Sequence, residues 1–303
     1  MDTEKSSQRS IKPDFIRLVM DATSAQARQA RIVNKSSVFT KEIVKLSPHL
    51  IYQVLQRDLQ GDLTAEMAIY KAGEELDTFL SIAGHHEDEE IFNDLRDYDV
   101  KGQTVKPGNL SVAEKWQGQG IGRTALRNQI ELFALNGARF FEITAGNENG
   151  ASSWAKMIPL DEDRLPDFED ELIDTIRLRL DLLESLDVLP LDVISDARDY
   201  AMFNASSDLK HLAEMDYDVF EEISSFFDPH NDEITLTRSQ AEQVAVEFGE
   251  QMRSASRQGE KLPLSRLLLA GTKWPGKLDL QDPGQMRNVE DYAGSFRYLD
   301  ITP

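Results

Sequence analysis

The clearest pattern of apolar and polar positions lies near the middle of the chain. Residues 109–113 have the character of a short strand, residues 116–122 form a glycine-rich turn, and residues 123–136 have helical periodicity. Apolar residues recur on one face of that helix: Leu126, Ile130, Phe133 and Ala134. Gly137 is placed to end the helix, and the aromatic and β-branched content of residues 139–144 predicts a second strand. The order strand, turn, helix, strand predicts a crossover unit of an α/β fold.

The N-terminal part of the chain has a weaker pattern. Its first ten residues are polar and are predicted to be a disordered tail. Pro13 stands where a helix can begin, and an apolar stripe follows it: Phe15, Ile16, Leu18, Val19 and Ala22. This stripe predicts a short N-terminal helix. Residues 37–46 suit a strand or a helix equally, whereas residues 50–59, after Pro48, predict a helix.

Two short apolar runs follow, residues 65–71 and 76–83, and the break between them contains Gly73. Their content and that break predict a β-hairpin. An acidic stretch then extends from His85 to Asp99. Its density of charge predicts a solvated loop with a short helix.

The composition changes after Pro159. Residues 161–187 contain eleven acids against three arginines. Apolar residues recur there at helical spacing: Leu172, Ile173, Ile176, Leu180, Leu183 and Leu186. This spacing predicts a helix with an acidic outer face. Further helical patterns cover roughly residues 191–202, 209–227 and 239–256.

The C-terminal tail changes pattern once more. Residues 262–270 contain the run Leu267-Leu268-Leu269, and Trp274-Pro275-Gly276 is predicted to turn the chain before Leu278-Asp279-Leu280. One or two short strands are predicted over residues 264–280, where they would return to complete the core sheet. The remaining C-terminal residues are predicted to be a polar end.

Composition and charge narrow the class of protein. The 303 residues are enough for one large domain or two ordinary ones. With 33 basic and 54 acidic residues the formal charge is −21, so nucleic acid and anionic membranes are not expected as partners. The chain has no cysteine, which excludes disulfides, thiolate metal ligands and cysteine nucleophiles.

Two further sequence features bear on location and metal binding. The N-terminus lacks the apolar core of a secretory signal, and no apolar run approaches the length of a membrane span. A cytoplasmic protein is therefore expected, with export that uses no cleavable signal left open. Neither His85-His86 nor residues 228–233 have the ligand spacing of a known metal site, so no metal site is predicted.

The segment 112–122 carries the candidate chemistry. A glycine-rich turn between a strand and a helix N-terminus directs several backbone N–H groups at one point, and the positive end of the helix dipole adds to them. Such a site is suited to a pyrophosphate. Gly120 and Gly122 let the backbone approach ligand oxygens closely, and Arg123 adds a cation in the first helical turn.

Spacing separates the families that use such turns. A P-loop ends in Gly-Lys-Ser/Thr, whereas no lysine follows Gly122 here. The dinucleotide fingerprint is G-x-G-x-x-G, whereas Gly118, Gly120 and Gly122 follow G-x-G-x-G. Gln117 with Gly120 and Gly122 gives Q-x-x-G-x-G after a strand. This pattern resembles the acyl-CoA motif of the GNAT superfamily of N-acyltransferases.

The resemblance continues downstream and covers residues 109–159, about fifty in all. Asn147 stands at the family's strand-end asparagine, and Gly150 stands at its small helix residue. Trp154 stands where the family often has a tyrosine, and Ile158-Pro159 stands where it has Gly-Phe. An indole N–H is not an acid near neutral pH, so protonation of the leaving thiolate would fall to water or another group.

The resemblance implies an α/β (α+β) fold, with a GNAT-like mixed sheet, flanking helices and an acyl-CoA in the gap between two splayed strands. Acetyl-CoA or another acyl-CoA is the implied co-substrate, and no metal is implied. The pantetheine arm would pair with the backbone of residues 111–113, and the pyrophosphate would lie on residues 117–123. The implied cofactor-binding residues are Ser111, Val112, Ala113, Gln117, Gly118, Gln119, Gly120, Ile121, Gly122, Arg123 and Asn147.

Catalysis in this family is usually direct transfer, in which a base removes a proton from the attacking amine. The nearest carboxylates in the sequence are Glu142 on the second strand and Glu114 beside the turn, and Glu66 in the hairpin is a third candidate. The resemblance therefore implies an N-acyltransferase that acts on a protein or small-molecule amine, with a carboxylate or water as the base. The alternative is a non-catalytic GNAT-like scaffold whose acidic helices recruit a basic protein partner.

Four segments are predicted. Residues 1–35 form a tail and helix, and residues 36–160 form the acyltransferase core. Residues 161–259 form an acidic helical insertion or domain, and residues 260–303 supply C-terminal strands and a tail. The sequence leaves open the acceptor, the acyl-chain length and the oligomeric state.

Overall fold

The computed structural model describes most of the chain, in these segments: residues 17–20, 30–33, 48–59, 62–72, 75–86, 89–99, 101–106, 108–146, 150–203, 207–227, 236–257 and 261–299. The chain is a mixed α+β protein and divides into two compact units, residues 1–138 and 139–303. The division falls inside the segment that the sequence predicts as one acyltransferase core. The predicted N-terminal tail and Asn147 lie outside the described residues.

The N-terminal unit contains an antiparallel sheet. Its strands are β1 (Arg17–Met20), β2 (Ala30–Val33), β3 (Asp62–Ala72), β4 (Glu75–His86), β5 (Glu89–Asp99), β6 (Thr104–Val105) and β7 (Asn109–Val112). The order is β2-β1-β3-β4-β5, and both β6 and β7 pair with β5. The predicted hairpin is confirmed as β3 and β4, which pair along their full length up to Ala72 and Glu75.

Two sequence predictions in this unit are wrong. Residues 17–20 are a strand and not part of a helix, and Leu18 pairs with Ile32 on one side and Met67 on the other. A short apolar run does not fix a periodicity, so the pairing strands decide its conformation.

The acidic stretch is also a strand, β5, and not a loop with a short helix. Its buried residues alternate with more exposed ones from position 92 onward: Phe92, Asp94, Arg96 and Tyr98. Two of these buried side chains, Asp94 and Arg96, are charged. Because the charges at 94 and 96 face inward, the apolar-polar alternation of a strand is hidden in the sequence.

Two helices complete the described part of this unit, α1 (Pro48–Gln56) and α2 (Ile121–Leu135), and both were predicted. The Asn128 side chain of α2 donates to the backbone oxygens of Leu55 at 3.0 Å and Arg57 at 2.7 Å, which ties α2 to the end of α1. Gly137, at φ 91°, ends α2 in the left-handed conformation, as predicted.

The C-terminal unit is mostly helical. Its helices are α3 (Gly150–Ala155), α4 (Glu169–Ser185), α5 (Leu191–Tyr200), α6 (Asp208–Glu214), α7 (Phe220–Ser225), α8 (Arg238–Arg257), α9 (Leu264–Leu269) and α10 (Pro283–Ala293). Its strands, β8 (Phe140–Ala145) and β9 (Trp274–Asp279), form an antiparallel pair. The predicted acidic helix is confirmed as α4, which buries Leu172, Ile176 and Leu180 and exposes acids.

The predictions for the tail are partly wrong. Residues 264–269 form a helix, and Trp274-Pro275-Gly276 begins β9 instead of turning the chain. The return of a tail strand to pair with β8 is confirmed. A Cβ atom at Gly276 would lie 2.8 Å from both Ile143 and Trp274, so this glycine permits tight packing within a strand.

The two units differ in charge. Residues 1–138 contain 17 basic and 20 acidic residues, a net charge of −3, whereas residues 139–303 contain 16 and 34, a net charge of −18. The acidity of the chain is therefore a property of the helical unit. None of the helices in the described segments is both long and apolar enough to cross a bilayer.

Candidate functional site

The glycine-rich turn connects β7 to α2 within the N-terminal unit. A short 3-10 helix, Glu114–Trp116, follows the strand. The Trp116 N–H donates to the Ala113 oxygen at 2.8 Å, and the Gln117 N–H donates to the Glu114 oxygen at 3.2 Å. These bonds fold the chain back, so that α2 begins at Ile121 close after the end of the strand.

Two glycines in the turn have left-handed backbone, Gly118 at φ 78° and Gly120 at φ 79°. Gly120 is the N-cap of α2, and its oxygen accepts the first helical bond, from Thr124 at 2.9 Å. Within the described part of the chain, no acceptor bonds the N–H groups of Gly118, Gly120, Ile121 or Gly122. Unbonded N–H groups at a helix N-terminus attract an anion, as the sequence predicts for this turn.

Gly122 has a separate reason to be glycine. A Cβ atom there would lie 3.3 Å from Cγ2 of Val112, closer than ordinary van der Waals contact. The missing side chain lets the first turn of α2 pack against β7.

Arg123 places a cation at the same turn. Its side chain is exposed, and its Nη2 lies 3.1 Å from the position that a Cβ atom at Gly120 would occupy. The guanidinium therefore lies next to Gly120, the N-cap residue of α2. An Arg in this position can donate to the oxygens of a bound phosphate.

One edge of β7 is open in the described residues. The Ala113 N–H donates to the Ile91 oxygen of β5 at 2.8 Å. Because hydrogen-bonded and non-hydrogen-bonded pairs alternate in an antiparallel ladder, Ser111 also bonds to β5, whereas Leu110 and Val112 direct their backbone groups away from it. Among the described strands, β5 alone pairs with β7.

This register changes the expected backbone contacts. The resemblance implies pairing of pantetheine with residues 111–113, but the backbone groups of Ser111 face β5. Those of Ala113 are bonded to Ile91 and Trp116. The backbone groups that face outward belong to Val112 and Leu110. The sequence prediction included Val112 but not Leu110. Only the pairing with β5 reveals which residues of the strand face outward.

Both glutamines of the turn donate to backbone oxygens that precede the turn in the chain. The Gln117 side chain donates from Nε2 to the Val112 oxygen at 3.0 Å, and the Gln119 side chain donates from Nε2 to the Lys115 oxygen at 3.3 Å. Lys115 forms an ion pair with Glu89 of β5. These side chains tie the turn to β7, to the 3-10 helix and to β5.

The candidate bases lie in different places. Glu114 is exposed in the first turn of the 3-10 helix, next to the glycine-rich turn. Glu142 lies on β8 in the C-terminal unit, opposite Lys277 of β9, with its Oε2 3.9 Å from Nη1 of Arg164. Glu66 lies on β3, opposite Ser81 of β4.

Trp154, which stands where the family often has a tyrosine, lies on α3 of the C-terminal unit and is partly buried. Glu114 and the predicted residues from 111 to 123 are consecutive in the chain and lie in the N-terminal unit. Glu142 and Trp154 belong to the other unit.

A buried polar cluster between β5 and α2 was not predicted from the sequence. Oδ1 of Asp94 lies 3.1 Å from Nε of Arg96, and that Nε donates to Oε1 of Gln129 at 3.3 Å. Burial raises the pKa of the Asp94 carboxyl above its usual range, although the charge of Arg96 opposes this. The two-residue spacing of Asp94 and Arg96 was the available signal, because alternate strand residues share a face.

No group of three or more potential metal-ligating side chains occurs in the described segments. Comparisons with protein-family models, with curated proteins and with solved structures found no match for this chain.

Proposed function

We propose that this protein is an N-acyltransferase that uses acetyl-CoA or another acyl-CoA and acts on an amine. The observation that carries the proposal is the adjacency of two binding elements along one segment. One is the turn, where unbonded N–H groups and Arg123 lie together. The other is the open edge of β7, formed by Leu110 and Val112.

An acyl-CoA has complementary parts in the same order. Its pyrophosphate would bind the N–H groups at the turn, and its pantetheine amides would pair with the outward backbone groups of Leu110 and Val112. A phosphate ligand without an amide-bearing arm would use only the turn. The combination of an anion site with an open strand edge favours an acyl-CoA over a simple nucleotide.

The proposed reaction is direct transfer. The amine nitrogen forms a bond to the acyl carbon, and the bond from that carbon to sulfur breaks. A base takes the proton from the amine, and the departing thiolate is protonated to give free CoA. Glu114 lies beside the turn in the same unit and is the candidate base of this proposal, with water as the alternative.

The test is calorimetric titration of acetyl-CoA into the intact protein and two charge-reversal variants. Arg123→Glu places an anion over Gly120 and should weaken binding at least tenfold, because it replaces attraction of the pyrophosphate by repulsion. Lys101→Glu is the matched control, since Lys101 is also exposed and carries the same charge. Lys101 lies beyond the end of β5 at Asp99. Asp99 is seven residues, about 23 Å, along the strand from Phe92, which pairs with Val112.

Equal affinities for the parent and Arg123→Glu, or no binding by the parent, would exclude this function. Arg123 is preferred to Gly120 for the test because a substitution at φ 79° would strain the backbone itself. Release of free CoA thiol with candidate amines then separates an enzyme from a binding scaffold.

A second candidate is recruitment of a basic protein partner by the acidic helical unit. The observation that favours it is the net charge of −18 on residues 139–303, together with exposed acids in the first turn of α4: Glu169, Asp170 and Glu171. No cation in the described segments forms an ion pair with these three acids. They remain available to a cationic partner.

A further inference from the structure

The hydrogen bond from Gln117 to Val112 joins the two halves of the proposed acyl-CoA site. Gln117 stands at the C-terminal end of the 3-10 helix, with extended backbone at φ −65° and ψ 157°. Its Nε2 reaches back to the Val112 oxygen at 3.0 Å. Val112 directs that oxygen away from β5, so the carboxamide caps the strand on its open edge.

The resemblance counts Gln117 among the residues that contact the cofactor. In the structure its amide group bonds to the strand, and the turn presents backbone N–H groups to an anion without it. The capped oxygen also leaves three outward groups for a ligand arm, namely the N–H of Val112 and both groups of Leu110. The Gln117 side chain thus connects the turn directly to the strand that carries these groups.

We infer that Gln117 is a positioning residue, which holds the pyrophosphate-binding turn in register with the pantetheine-binding edge of β7. This inference rests on the proposed function. It concerns only ligands that span both elements, because the backbone bonds of the 3-10 helix and the left-handed glycines shape the turn independently of the Gln117 side chain. A ligand confined to the turn should be insensitive to its loss.

The experiment compares two probes by calorimetry. One is CoA, and the other is adenosine 3′-phosphate 5′-diphosphate, which is CoA without its pantetheine arm. Gln117→Leu keeps the size of the side chain and removes the donor. We expect it to weaken CoA binding about fivefold, the effect of one typical hydrogen bond, and to weaken binding of the truncated probe less than twofold.

Gln56→Leu is the matched control. Like Gln117, Gln56 donates from Nε2 to a nearby backbone oxygen, that of Leu59 at 3.3 Å, but it stands at the end of α1, outside the turn and outside β7. This variant should bind both probes as the parent does. The melting temperature of each variant, measured alongside, identifies any loss that comes from unfolding.

The outcomes separate the inference from the function on which it depends. Equal losses for both probes in Gln117→Leu would mean that the residue contacts the phosphates or shapes the turn alone, and the positioning role would be wrong. Unchanged CoA affinity in that variant would also exclude it, while the proposed function would stand. A parent that binds neither probe would overturn the proposed function and the positioning role together.

Discussion

At the scale of single residues, the buried pair of Asp94 and Arg96 predicts an effect on stability. Both side chains are fully buried, and the Asp94 Oδ2 has no hydrogen-bond partner in the described structure. Removing one partner of a buried pair leaves the other charge uncompensated, whereas replacing both by apolar residues can be neutral. Variants of this pair therefore show whether the two charges together stabilise the fold more than apolar residues in their place would.

We predict that Arg96→Met lowers the free energy of unfolding by about 3–5 kcal/mol near neutral pH. The double variant Asp94→Leu/Arg96→Met should recover most of that loss. Urea unfolding of the full chain measures both. If the double variant were as unstable as Arg96→Met, lost packing and not the unpaired Asp94 carboxylate would be the cause of the lower free energy of unfolding.

The same pair predicts a pH dependence. Burial raises the pKa of Asp94 in the folded protein above its value in the unfolded chain. At low pH the carboxyl is protonated in the folded and the unfolded state, and its burial costs least. As pH rises through the folded-state pKa, the free energy of unfolding therefore falls. This window lies above the ordinary aspartate pKa of about 3.9. In Arg96→Met the opposing cation is gone, so its deficit relative to the parent should be smaller near pH 4 than at pH 8. A deficit that does not change with pH would contradict this account.

At the scale of elements, one arginine joins three helices of the C-terminal unit. Arg179 of α4 donates from Nη1 to the backbone oxygens of Leu267, Leu268 and Ala270 at 2.7–3.1 Å. Its Nε donates to Glu247 of α8 at 3.1 Å. The side chain satisfies carbonyl groups at the C-terminal end of α9, where a helix leaves such groups unpaired.

We predict that Arg179→Met destabilises the protein by about 3 kcal/mol or more, because it leaves buried carbonyls and Glu247 without their donor. Arg198→Met is the matched control. Arg198 pairs with Asp181 and Glu184 of α4, but the side chains are exposed, so its loss should cost less than about 1 kcal/mol. If thermal or urea unfolding showed similar losses of stability for Arg179→Met and Arg198→Met, the buried hydrogen bonds of Arg179 would contribute no more than an exposed ion pair.

At the scale of the whole molecule, the distribution of charge is the dominant property. Nearly all of the net charge of −21 belongs to residues 139–303. A concentration of one sign steers oppositely charged partners, and its effect falls with ionic strength. The anion-binding turn lies in the other unit, where the net charge is only −3, so the two functions that we propose use different parts of the chain.

If the acidic unit recruits a cationic partner, reversing the charges of Glu169, Asp170 and Glu171 to lysine should weaken binding of a polylysine peptide. The loss should be larger at low salt, where exposed charges are least screened. Reversal of Asp181 and Glu184, which Arg198 already neutralises in part, should have a smaller effect for each charge. Calorimetry at two salt concentrations measures both. Unchanged affinity at low salt would end the recruitment hypothesis.

The sequence by itself determined the elements whose signals are local. The hairpin of β3 and β4, the helices α2 and α4 and the glycine-rich turn were predicted because each is specified by nearby residues. Helical periodicity, a left-handed glycine and a break between two apolar runs need no distant partner to be recognised. The residues of the turn from 117 to 123 belong to this class.

The tertiary structure alone decided the features that depend on distant partners. β1 is a strand because β2 and β3 pair with it, and β5 is a strand because β4 and β7 pair with it. Helix α2 supplies Gln129 to the inward charges of β5. Which backbone groups of β7 face outward follows from its register on β5. The physical reason is common to all three: hydrogen-bond partners across a sheet or beneath a helix are set by pairing in space, which local periodicity does not encode.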